Sequence, residues 1–88
     1  MRVKRVWKEQ TDTGNPDKHV WVAEITESSG SIFRPTTNIV QLRLLDVKGT
    51  KEWIREDGLE FNRYDAQRLN RLIRFMAHTR EIEIELNE

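Results

Sequence analysis

The hydrophobic period of this chain changes twice in its last third, and that change limits the folds open to it. Ala66, Leu69, Leu72, Ile73 and Met76 recur every three to four residues, which makes one apolar stripe along an α-helix. From Glu81 the spacing becomes a strict two: Ile82, Ile84 and Leu86 share one face and Glu81, Glu83 and Glu85 the other. Upstream, Val40, Leu42 and Leu44 alternate with Gln41 and Arg43 across Asn38 to Val47. Strands, then one helix, then one strand imply an α+β fold. The expected architecture is a curved antiparallel meander sheet with the helix packed on one face and a C-terminal strand after it. Asn62 is a good helix N-cap, with Asp65 three residues on, and the helix should end near Ala77 to Thr79.

The other segments fill in the meander. Val3, Val6 and Trp7 imply a short first strand of irregular alternation, and Thr11 to Lys18 a polar turn centred on Gly14-Asn15-Pro16-Asp17. His19 to Glu27 is rich in β-branched and aromatic residues and reads as a strand. Ser28 to Ser31 reads as a loop, and Ile32 to Thr37 as an extended edge or bulge carrying Pro35. Lys48-Gly49-Thr50 is a hairpin turn, followed by a strand over Lys51 to Glu56 and a turn at Glu56-Asp57-Gly58. Leu59 and Phe61 then alternate in a last short strand before the helix.

At 88 residues the chain is expected to form a single domain over residues 1–88, of modest stability, which dimerisation would help. Leu, Ile, Val, Phe and Trp are frequent enough to exclude disorder. With 15 basic and 15 acidic residues the formal charge is zero, so binding to nucleic acid or membrane would need a local patch. There is no cysteine, hence no disulfide, thiolate metal site or cysteine nucleophile, and a reducing cytoplasm is the expected setting. No apolar run approaches the roughly 18 residues of a membrane span. The basic start (Arg2, Lys4, Arg5, Lys8) lacks the apolar run of a signal peptide.

Neither histidine, His19 or His78, has a nucleophile or carboxylate at a recognisable spacing, and no phosphate loop or hydrolase motif occurs. No catalytic residue, metal site or cofactor is therefore expected, and the chain reads as a binding module rather than an enzyme. Three charged sets remain. The glutamates of the final strand complement the basic first strand, which predicts that the two ends pair as neighbours. On the helix, Arg63, Arg68, Arg71 and Arg74 face only Asp65. They are either a basic ridge for phosphates or long stems covering the shoulders of an amphipathic helix. Lys51, Trp53 and Arg55 share one face of a strand. If Ile54 points into the core, they join Arg43 in a basic and aromatic platform suited to unpaired bases. The opposite choice makes Trp53 core and leaves Ile54 outside.

The stretch IVQLRLLDVKGTKEWIREDGLEFNRYDAQRLNRLI, within Ile39 to Ala77, resembles the positive-cofactor family of transcriptional coactivators. Arg43 stands at the family's strand arginine, Trp53 at its aromatic, and Gly58-Leu59-Glu60-Phe61-Asn62 at its glycine, short strand and helix cap. Glu56 and Asp57 stand where the family has lysines, and the strand after the helix lies beyond the family's usual end. The resemblance implies a curved four-stranded sheet running into one helix, a homodimer through that helix, and single-stranded DNA bound across the sheet. The expected function is thus single-stranded nucleic-acid binding near transcription or DNA metabolism, through Arg43, Lys51, Trp53 and Arg55, with Arg68, Arg71 and Arg74 as the second choice. The alternative is a small bacterial or phage-encoded module that binds a host protein as adaptor or inhibitor. Zero net charge favours that alternative.

Overall fold

The computed structural model describes residues 1–10 and 19–86, so the expected turn at Thr11 to Lys18 lies outside the described residues. Five strands and one helix follow in the order β1 (Arg2–Gln10), β2 (His19–Ser31), β3 (Arg34–Val47), β4 (Thr50–Arg55), α1 (Arg63–Thr79) and β5 (Glu83–Glu85). The strands form one antiparallel sheet in the order β4-β3-β2-β1-β5. The first four make a meander, and β5 returns after the helix to the free edge of β1. The expected pairing of the two ends is present, with Val6 opposite Ile84 and Arg5 bound to Glu83 at 2.6 Å. No helix among the described residues is long and apolar enough to cross a membrane.

Directly opposed residues in an antiparallel ladder point to the same side, so the register sorts the sheet into two faces. One row crosses it as Arg55, Leu42, Ala23, Val6 and Ile84. The adjacent row crosses as Ile54, Arg43, Val22, Trp7 and Glu83, on the other side. The first side is the inner face, where Val3, Val6, Ala23, Ile25, Val40, Leu42, Leu44 and Trp53 join Leu69 and Met76 of α1 in one core. A register shift between Val3 and Arg5 explains the irregular alternation of β1. It allows Val3 and Val6, three residues apart, to serve the same face.

The helix follows its sequence signals closely. The Asn62 side chain accepts from the Tyr64 and Asp65 amides at 2.8 and 3.4 Å. At the other end Arg80 adopts a left-handed conformation as the C-cap. Leu69 and Met76 are fully buried, Ala66, Leu72 and Ile73 pack at the core's margin, and Arg71 and Arg74 are exposed.

Four expectations are corrected. Ser28 to Ser31 is not a loop, and Ile32 to Thr37 is not a separate edge. Together they are the distal half of one β2–β3 hairpin, turning at Ile32-Phe33. Leu59 to Asn62 forms no strand: the chain there runs irregularly, with Leu59 exposed and Phe61 half-buried, separated from the free edge of β4 by an open cleft. Ile82 does not join Ile84 and Leu86 in the core. It sits where the chain leaves α1, ahead of the three-residue β5, and stays exposed. The β3–β4 turn contains two residues, Lys48 and Gly49, both at positive φ, rather than three.

Candidate nucleic-acid interface

That turn decides the fate of the expected sheet platform. With a two-residue turn, Leu44 stands opposite Trp53 and Arg43 opposite Ile54. Leu44 faces inward, so Trp53 does too, at 6% exposure, and its indole N–H donates to Asn70 Oδ1 of α1 at 2.8 Å. Ile54 is the outward residue, 39% exposed. Arg43, Lys51, Trp53 and Arg55 therefore do not share an open face: Arg43 lies on the outer side, and the other three on the inner. The energetics favour this choice, because a buried Trp removes far more apolar surface from water than Ile. Its single polar atom is satisfied.

Four cations of the sheet are engaged by carboxylates. The nearly covered Arg55 guanidinium bridges Glu27 at 2.9 Å and Asp57 at 2.7 Å. Its pKa rises above the ordinary arginine value, chiefly through the hydrogen bond to Asp57, with Glu27 adding to it against the cost of burial. Asp57 is held below the ordinary carboxylate range by the Arg55 hydrogen bond first and by the Leu59 amide second. Arg43 lies 3.6 Å from Glu9, and Lys4 3.3 Å from Glu24. Arg5, besides pairing with Glu83, stacks 4.3 Å above the Trp7 ring. Lys51 and Arg63 border an open cleft of about 730 Å³ between β4 and the start of α1, but Glu52 and Glu60 line it as well. A phosphate would have to displace a carboxylate at Lys4, Arg5, Arg43 or Arg55, whereas Arg2, Lys8 and Arg34 make no ion pair among the described residues.

The outward side of α1 differs. Its 17 residues hold four arginines and one aspartate, a surplus of three positive charges in a chain of zero net charge. Asp65 stands to one side, 3.9 Å from Arg68. Arg63, Arg71 and Arg74 make no ion pair among the described residues, and His78 continues the basic character into the last turn. Tyr64 and Phe75 are exposed on the same helix at 77% and 53%. Tyr64, Arg68, Arg71 and Phe75 are spaced four, three and four apart, so they follow one another along one face. The two aromatics stand about 16 Å apart along the axis. Arg68, Arg71 and Arg74, the second-choice set from the sequence, are thus brought together. Sequence reasoning missed Tyr64 and Phe75, although both fall off the apolar stripe and carry the signal of large apolar rings at solvent positions.

Among the described residues no group of three or more histidine or carboxylate side chains is placed to hold a metal ion. Comparison of the chain with protein-family profiles, curated proteins and solved structures gave no match.

Proposed function

We propose that the chain is a non-enzymatic binder of single-stranded nucleic acid, acting near transcription or DNA metabolism, and that it binds through the outward face of α1. The observation that carries this reading is the contrast in charge pairing. Arg5, Arg43 and Arg55, in the body of the sheet, are matched by carboxylates, while α1 gathers Arg63, Arg71 and Arg74 without ion pairs among the described residues and with two exposed aromatic rings among them. Guanidinium groups engage phosphates, and Tyr64 and Phe75 offer stacking surfaces to unpaired bases. With three or four phosphate contacts the affinity is micromolar or weaker per chain, and binding is strongly salt-dependent. Duplex DNA binds less well because its bases are already stacked. A dimer joined helix to helix would set these arginines against one another, so the reading takes one chain as the binding unit.

The test is fluorescence anisotropy of a labelled oligothymidine at several salt concentrations. Each phosphate neutralised contributes about 0.7 to the log–log salt slope for single strands, so joint Arg71→Ala and Arg74→Ala substitution lowers the slope by roughly 1.4. Arg43→Ala leaves affinity and slope unchanged. Absence of binding at low salt removes the reading.

One observation favours the second reading, a module that binds a host protein. Ile39, Leu45 and Ile54 are exposed on the outer sheet face, among charges already paired within the chain. Apolar side chains among self-compensated charges suit a protein surface better than a phosphate backbone. Loss of partner capture on Ile54→Asp, in a chain that ignores oligothymidine, is the result that supports it.

A further inference from the structure

The distal half of the β2–β3 hairpin has no role in the core, yet it is constructed in detail. The last β1 residue paired to β2 is Arg2, opposite Thr26, and β4 reaches back along β3 only to Leu42. Beyond these limits residues 28–37 form a two-stranded arm with every residue exposed. At about 3.3 Å per residue its tip stands roughly 20 Å past the sheet's last three-stranded row. The molecule is correspondingly elongated, at 49 × 28 × 24 Å.

Local chemistry stiffens this arm. Gly30 has φ +90, and a Cβ there would fall 2.5 Å from the Arg34 carbonyl oxygen, so the position accepts glycine alone. Pro35, opposite Gly30, fixes the facing backbone. Asn38 Nδ2 donates to Ser29 Oγ at 2.9 Å across the root, and the Arg34 amide donates to Ser31 Oγ at 3.1 Å beneath the turn. At the turn itself stand Ile32 and Phe33, exposed at 91% and 87%. Two-residue hairpin turns favour Asn and Gly, and nothing in the fold asks for large apolar side chains here.

The chemistry of the arm narrows the occupant. Residues 28–37 contain no carboxylate, and their one ionic group is Arg34, next to the tip. Five hydroxyl side chains and Arg34 offer hydrogen-bond donors to phosphate and sugar oxygens along the arm. A protein pocket for Ile and Phe would require none of this donor-rich, carboxylate-free shaft. A nucleic-acid strand requires both a cationic, hydroxylated shaft and an apolar wedge able to part stacked bases. We propose that the β2–β3 arm inserts Phe33, supported by Ile32, into the base stack of the nucleic-acid strand held by α1, with Arg34 on the adjacent phosphate. This rests on the function proposed for α1 and adds a separate, uncharged contact to it.

Because stacking releases no counterions, the arm and the helix have different signatures. The probe is an adenine-rich single-stranded oligonucleotide with 2-aminopurine at successive positions, titrated against the full chain at two salt concentrations. The expected result is a severalfold rise in 2-aminopurine emission at one or two adjacent positions. Phe33→Ala abolishes the rise and weakens binding by roughly five- to a hundredfold, with the salt slope unchanged. Arg71→Ala with Arg74→Ala lowers the slope. Phe33→Tyr keeps the rise. The tip is outside the core, so an unchanged melting temperature shows that each variant is folded. Binding in which Phe33→Ala alters neither emission nor affinity overturns the arm's role and leaves the α1 reading intact. No binding by the unsubstituted chain overturns both. Phe33-dependent retention on vesicles of anionic phospholipid, without any rise in 2-aminopurine emission, also overturns it and assigns the tip to a lipid surface.

Discussion

The β2–β3 hairpin is one continuous ladder with two unlike halves. In its root, Ala23, Ile25 and Leu42 are fully buried, because β1 and β4 flank the pair and α1 covers the inner face they share. In its arm the same backbone pairing continues through Ser28–Thr37, Ser29–Thr36 and Gly30–Pro35, yet every side chain is exposed. Hydrogen bonding is therefore not what separates core from projection. The difference lies in what stands beside the ladder, and the side chains follow it: aliphatic in the root, hydroxyls in the arm, and apolar residues again only at the tip. The apolar residues of the root serve folding. Those of the tip face only water in the isolated chain, and for that reason they read as contacts for something else.

Substitutions can break this division. The largest effect is expected at the inner face of β4. Trp53→Ala costs about 3–5 kcal/mol, as a core truncation that also leaves Asn70 without its partner, measured by urea denaturation. A cost near zero would place Trp53 outside the core. Ending the chain after Arg80 comes next. It removes the half-buried Ile84 and Leu86 and the cover over β1, for roughly 2–4 kcal/mol by the same measurement. In the arm, Phe33→Ala is expected to change stability by less than about 0.5 kcal/mol, and an equal loss in root and arm would dissolve the comparison.

The smallest effect concerns acid. The Asp57 carboxyl titrates below its unfolded value because Arg55 binds the ionised form. Its contribution to stability is therefore present above the ordinary carboxylate range and lost as pH falls through the depressed folded pKa. Asp57→Asn should flatten the acid side of the stability–pH curve below about pH 4 and leave the region near pH 7 with a small constant offset. Thermal melts of both forms across the acid range check this. An unchanged acid limb would show that the Arg55–Asp57 contact does not persist in solution.

How much of this was legible in the sequence depends on where one residue of slip matters. The helix was readable because cap, stripe and length agree, and each tolerates an error of one position. The pairing of β1 with β5 was readable from complementary charge. The sheet platform failed on a single residue of turn length. A three-residue turn at Lys48-Gly49-Thr50 sets Leu44 against Ile54, whereas the observed two-residue turn sets it against Trp53 and reverses both faces of β4. The Lys-Gly pair permits positive φ at both positions only at some strain on the lysine, so composition alone did not favour the shorter turn. The arm was hidden for another reason. Ser28 to Thr37 lacks the alternation by which strands announce themselves, since neither of its faces meets a core.

The pairing of β1 with β5 also has a consequence in time. Arg5 and Glu83 are 78 positions apart, so the strand made among the first acquires its second neighbour only when almost the whole of this sequence has been synthesised. Until then the nascent meander carries β1 as a bare margin with unpaired amides and carbonyls, the kind of margin that recruits strands from other chains. Folding thus passes through an interval in which the sheet is nearly whole but still adhesive, and it ends only when α1 has docked and β5 has reached the margin of β1.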